Sequence, residues 1–231
     1  MRMILCEADF VIHGLVSYQL FGHTFWLTTT HISRIIVTVV LLICAFAANR
    51  GMKKAKEVPT GFQNVVETIV EMLDKMVRTN MKQPKKFMNY LGTLFLFILI
   101  CNLSGLLGLR GPTADYGVTL CLGLITFFMI QYNGIKCQGF GLVKGLFEPI
   151  PLFFPINLIG EIATPISLSL RLFANMLAGT IIMALWYGII PVVIAKLGIP
   201  AFLHAYLDLF SGCIQTYVFC MLTMVYVDDK M

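Results

Sequence analysis

The feature that most constrains this chain is the segregation of its charge. Apolar stretches of about 20 residues recur nearly free of charge, each long enough to cross the hydrocarbon core of a bilayer. Of the 231 residues, 58% are hydrophobic and 13% are charged, whereas ordinary soluble domains are about half apolar and about a quarter charged. A water-soluble fold of this length would leave large apolar patches exposed. The chain is therefore read as an all-α integral membrane protein with a single membrane domain. Spans are expected at residues 32–48, 87–109, 116–133, 155–187 and 201–227. Residues 1–31 form an N-terminal segment outside the membrane. Glu7 and Asp9 break its short apolar stretch, so it makes a poor signal peptide.

Residues 59–83 have a different pattern. Phe62, Val65, Val66, Ile69, Val70, Leu73 and Val77 recur at helical spacing, with Glu67, Glu71, Asp74, Lys75 and Arg78 between them. That is an amphipathic helix lying on the membrane surface. The net charge of +5 could suggest a nucleic-acid partner, but nine of the 17 basic residues lie between Arg50 and Lys86, beside a membrane segment. This is a topology signal, and no nucleic-acid groove is read from it. With the N-terminus outside, the inner side holds twelve basic residues. The outer side holds four, namely Arg2, Arg34, Arg110 and Lys196. Five spans and a cytoplasmic C-terminus follow. The seven cysteines show no paired metal-ligand spacing, and the sequence has no phosphate-binding loop. No metal or other cofactor is expected, and any nucleotide chemistry belongs to a partner.

Arg171 stands near the middle of the fourth span. An arginine at mid-membrane costs about 2.5–3.5 kcal/mol on insertion scales and cannot escape by losing its proton. Steps of three or four residues along its face reach Thr164, Ser167, Asn175, Ala178 and Gly179, a small and polar surface that lets another helix and water approach. In the last span Asp208, Ser211, Gly212 and Gln215 share a face. In an antiparallel pair Gln215 comes level with Arg171, and Asp208 lies about 10 Å to the outer side. Glu161 lies about 15 Å to the inner side. One carboxylate on each side of a fixed cation suits two separate half-channels and opposes a continuous pore. A secondary transporter using Arg171 to bind an anionic substrate is the alternative, but such folds show internal repeats and this sequence has none.

Ser167-Leu168-Ser169-Leu170-Arg171-Leu172-Phe173-Ala174-Asn175-Met176 resembles the arginine motif of subunit a of the bacterial F-type ATP synthase. Ile214-Gln215-Thr216-Tyr217-Val218-Phe219 in the last span, Pro112-Thr113-Ala114-Asp115 and Asn102-Leu103-Ser104-Gly105 are similar to further stretches of that family, in the same order. The resemblance implies a surface helix and a long tilted hairpin against a ring of c subunits. It implies b subunits as further partners and a bacterial plasma membrane as the location. The cargo is H⁺ or Na⁺, which Arg171 releases from the carboxylate of each passing c subunit. Asn175 and Gln215 then line the path beside the arginine. Asp115 and Asp208 belong to the outer half-channel, Ser167 and Glu161 to the inner one. Thr180 occupies a position where many members carry an acid or a histidine, and Asp208 one where others place histidine or glutamate. The outer titratable group is accordingly read as moved from the fourth span to the last.

Overall fold

Five helices in a computed structural model are long and apolar enough to cross a membrane: Thr30–Met52, Pro84–Leu106, Tyr116–Gln138, Phe154–Trp186 and Phe202–Asp229. The structure describes residues 14–20, 23–53, 61–107, 111–139, 141, 151–189 and 199–231. Several residues used in the charge count (Arg2, Lys54, Lys56, Arg110, Lys144 and Lys196) lie outside them, as do Glu7 and Asp9. The described chain opens on an antiparallel hairpin of β1 (Gly14–Leu20) and β2 (His23–Thr28), with Tyr18 opposite Phe25. It falls in the N-terminal segment, for which the sequence suggested no secondary structure.

From Thr29 onward the architecture is helical. In α1 (Thr29–Met52) the side chains of Ile35, Leu42, Ile43 and Phe46 are exposed, as suits a helix whose solvent is lipid. Helix α2 (Phe62–Asn80) is the amphipathic one. Leu73 packs with Leu94, Phe95 and Ile98 of α3 (Pro84–Leu103), and Val77 with Phe87 and Leu91. The first half of the same apolar face, Phe62, Val65, Ile69 and Val70, stays exposed. The surface helix is thus anchored at its second half.

Pro84 stands in the first turn of α3, where a missing N–H costs nothing. At its other end α3 stops at Leu103, six residues before the expected boundary at 109. Ser104 Oγ donates to Cys101 O at 2.7 Å, and Ser104–Leu107 tightens into a 3₁₀ turn. A second such turn, Pro112–Ala114, leads into α4 (Tyr116–Gln138). Asp115 caps α4, its Oδ1 accepting the Gly117 N–H at 3.0 Å. The helix continues to Gln138, where Gly139, at φ 54, ends it in the left-handed region.

A fully buried polar network explains why α3 stops where it does. Asn102 Nδ2 donates to Gly212 O and to Thr216 Oγ1, both at 3.1 Å, while its Oδ1 accepts from Thr113 Oγ1 at 3.0 Å. In lipid such groups must find partners within the protein. The network therefore fixes the α3–α4 connection against α7 (Ser211–Asp229), the last helix.

Helix α5 (Phe154–Ile189) runs unbroken through Pro165. At 1.5 Å per residue it is about 54 Å long, well over the ~30 Å hydrocarbon core, so it lies tilted. Helix α4 packs on it at Gly123, where a Cβ would stand 2.8 Å from the Pro165 carbonyl oxygen and 3.3 Å from Ser169 Cβ. Backbone cannot give way as a side-chain end can. Gly123→Ala is expected to destabilise this contact by about 1–3 kcal/mol, the usual range for overpacking. The check is the amount of intact complex and its thermal dissociation; an unchanged melting profile would contradict the geometry. The last span, expected as one helix over 201–227, is built of α6 (Ile199–His204), a π-helical turn (Ala205–Phe210) and α7.

Candidate functional site

Leu168 and Leu172 of α5 are buried with Ile98 of α3 and Phe219 of α7, and this contact fixes the rotation of α5 about its axis. Arg171 consequently turns away from the protein, and its side chain is exposed. Among the described residues it has no hydrogen-bond or ion-pair partner. Gly160, Ala163, Ser167, Ala174 and Ala178, all exposed, continue its line at spacings of three and four. Among the described residues a permanent cation thus stands unpaired on a line of small, exposed residues.

Two contacts set the antiparallel register of α5 and the last span. Ser211 Oγ donates to Asn175 Oδ1 at 2.6 Å, and a Cβ on Gly179 would lie 3.9 Å from Leu207 Cβ. One turn further on, that register brings Gln215 opposite Arg171. Asn175 Nδ2 and Gln215 Nε2 are both buried without a hydrogen-bond partner among the described residues. A buried amide left so costs about 1–3 kcal/mol, and such donors are satisfied by water or by an acceptor on a neighbouring molecule. Two of them flank the arginine.

Asp208 lies in the π-helical turn, 14% exposed, with its Oδ2 at 2.7 Å from His204 Nδ1. Turns of this kind are frequent at functional sites. Gly105 of the α3–α4 connection and Gly179 of α5 border the carboxylate, their Cβ positions 3.6 Å from its Cγ and 3.9 Å from its Oδ1. From Asp208 the polar line runs through Ser211 and Asn175 to Gln215. Asp115 is not part of this line; its described partner is the Gly117 amide it caps. It lies close by in height, because Tyr116 stacks edge-on against Phe173 with ring centroids 5.6 Å apart. The α3–α4 connection is therefore sunk beside the middle of α5, which runs on ten residues beyond Gly179, about 15 Å.

At the other end Glu161 is fully engaged. Gln131 Nε2 of α4 donates to its Oε2 at 2.7 Å, and the Lys230 ammonium pairs with its Oε1. Ser167 is exposed on the arginine line. The described residues hold no cluster of three or more histidine, cysteine or acidic side chains able to bind a metal.

The family model described as ATP synthase A chain matches residues 31–228. The chain belongs to that family. Subunit a, sodium ion specific, of the ATP synthase of Propionigenium modestum is 43% identical over 83% of this chain and 71% of its own length. Subunit a of Anoxybacillus flavithermus is 34% identical over 94% of this chain and 97% of its own, and that of a Sulfurihydrogenibium species 33% over 84% and 91%. The chain is thus an ion-translocating membrane subunit of an F-type ATP synthase, and nothing supports the transporter alternative.

Against subunit a as read from sequence, the structure adds His204, Gln131 and Lys230 and gives Asn102, Thr113 and Thr216 a function in positioning. His204 and Asp208 stand four residues apart, a spacing visible in the sequence. The other additions join distant segments and leave no local signal.

Proposed function

We propose that this chain provides two offset half-channels which pass H⁺ or Na⁺ to and from a rotating ring of c subunits, with Arg171 separating them. The observation that carries the proposal is the exposed Arg171 on its line of small residues, unpaired among the described residues, as are the amides of Asn175 and Gln215 beside it. A guanidinium in lipid needs an anionic or polar partner. The carboxylate of each passing c subunit supplies one and, facing a fixed cation, ionises and releases its own ion. Asp208, Ser211, Asn175 and Gln215 form the outer route, with Asp115 at its side, and Ser167 leads to the inner one. Glu161 serves the inner mouth once Lys230 releases it. The chain itself is non-catalytic, and ATP chemistry resides on partner subunits. The b subunits hold it against rotation in a bacterial plasma membrane, N-terminus outside and C-terminus cytoplasmic. The ion-selecting carboxylate is on the c subunit, so these residues suit either cation.

Sided thiol chemistry tests the two half-channels. In a background with the native cysteines replaced, Ser167→Cys should be blocked by a membrane-impermeant thiol reagent only from the cytoplasmic side. Ser211→Cys should be blocked only from the opposite side. Reaction of both from one side would sink the offset arrangement.

A further inference from the structure

The two oxygens of Asp208 are not equivalent. Oδ2 is held by His204 Nδ1 at 2.7 Å. Oδ1 faces α5, where a Cβ on Gly179 would stand 3.9 Å away, while a Cβ on Gly105 would lie 3.7 Å from Oδ2 and 3.8 Å from Oδ1, so that Gly105 borders both oxygens. Both glycines leave open the space that a side chain would fill. The histidine side chain is 38% exposed and the aspartate 14%, so the histidine is the more accessible member of the pair and the aspartate the more shielded. Among the described residues few other ionisable groups come near. Of the elements packed against this turn, α5 brings Arg171, about 12 Å below Gly179 at 1.5 Å per residue. α3 brings the Cys101 thiol and the turn itself the Tyr206 phenol. The remaining charges of α3, α5 and α7 lie toward their opposite ends.

We propose that His204 is the positioning residue of Asp208 and the gate on it. The imidazole holds Oδ2, so that Oδ1 alone meets an incoming monovalent cation in the slot between Gly105 and Gly179. The inference rests on reading Asp208 as the outer carboxylate. With His204 neutral, Nδ1–H donates to Oδ2 and the carboxylate keeps its charge for the cation. With His204 protonated, the imidazolium pairs with the carboxylate, cancels that charge and closes the slot. The imidazole takes its proton from the aqueous compartment and returns it there, no other covalent bond changes, and the same device acts on H⁺ and on Na⁺.

The test uses the whole ATP synthase in proteoliposomes, at equal complex content, with the pH of the His204-side compartment varied. A potassium diffusion potential holds the driving force constant, and one arm supplies H⁺ and the other Na⁺. His204→Gln keeps a side-chain donor for Oδ2 but cannot titrate. Its synthesis rate relative to the unaltered enzyme should be near one in alkali and rise severalfold as that compartment is acidified, in whichever arm drives synthesis. His204→Ala, which frees Oδ2, should be slower at every pH. A ratio for His204→Gln that stays flat, or falls on acidification, overturns the gate. Asp208→Asn should make no ATP at any pH; its normal activity would instead overturn the outer-carboxylate reading beneath it.

Discussion

Replacing Arg171 with alanine is expected to abolish ion-driven ATP synthesis while leaving the complex assembled. Leu168 and Leu172, one on either side, are what pack α5 into the protein, and Arg171 contributes nothing to that contact. The loss is therefore one of mechanism. In the arrangement proposed above, each c-subunit carboxylate holds its ion while it faces lipid, because desolvation disfavours the charged form. It must ionise at the interface with this chain, and a guanidinium that never deprotonates enforces that step. The same charge repels a cation attempting to cross directly from one route to the other. Without it, the carboxylate has no reason to release its ion, and a passive leak opens between the half-channels. Arg171→Lys should fail as well, since an ammonium can shed its proton when desolvated and lacks the planar fork. ATP synthesis by membrane vesicles under an imposed ion gradient is the measurement. Normal coupled synthesis by fully assembled Arg171→Ala complexes would end the reading.

Asp208→Asn should depress ion-driven synthesis nearly as far, whereas Thr180→Val should be mild. The Thr180 hydroxyl is turned back on its own helix, 2.8 Å from Leu177 O and 3.3 Å from Met176 O. It offers the path little. Asp208 instead lies against Gly179 on the adjoining face and stands on the line that leads to Arg171, whereas Asp115 lies beside it, capping α4. Asparagine preserves shape but removes the charge that draws a cation in. Moving the acid back, as Thr180→Glu with Asp208→His, should restore part of the rate. Full translocation by Asp208→Asn would shift the outer carboxylate to Asp115.

What the sequence disclosed divides along physical lines. The face of Arg171 was legible because a helical period fixes which residues share a side, and an arginine in an apolar run has few uses. The position of Gln215 opposite Arg171 follows from two contacts, Ser211 with Asn175 and Leu207 with Gly179, that obey the same period on both helices. The early end of α3 was not legible. Residues 104–109 are as apolar as the span before them, and the helix stops because Asn102 bonds to Gly212 and Thr216, over 100 residues away. Nor could the sequence show that Glu161 is occupied by Lys230, 69 residues on. His204 is the intermediate case. Its four-residue offset from Asp208 was visible and is one that a helical turn brings together, but the π-helical turn that carries Asp208 has no local signal.

The sunken α3–α4 connection has an electrical consequence. Polar side chains descend beside it from His204 through Asp208 to Asn175, well inside the length of α5. Polar ground conducts the potential of its own side inward. The insulating layer at this place is therefore thinner than the bilayer around it. A membrane potential is worth about 2.3 kcal/mol per charge per 100 mV wherever it falls, and here it falls over the short interval around Arg171. The field is steepest where the ion changes hands between chain and ring, so a bulky apolar residue at Gly105 or Gly179 would weaken the motor by spreading its voltage drop, even with every charge in place.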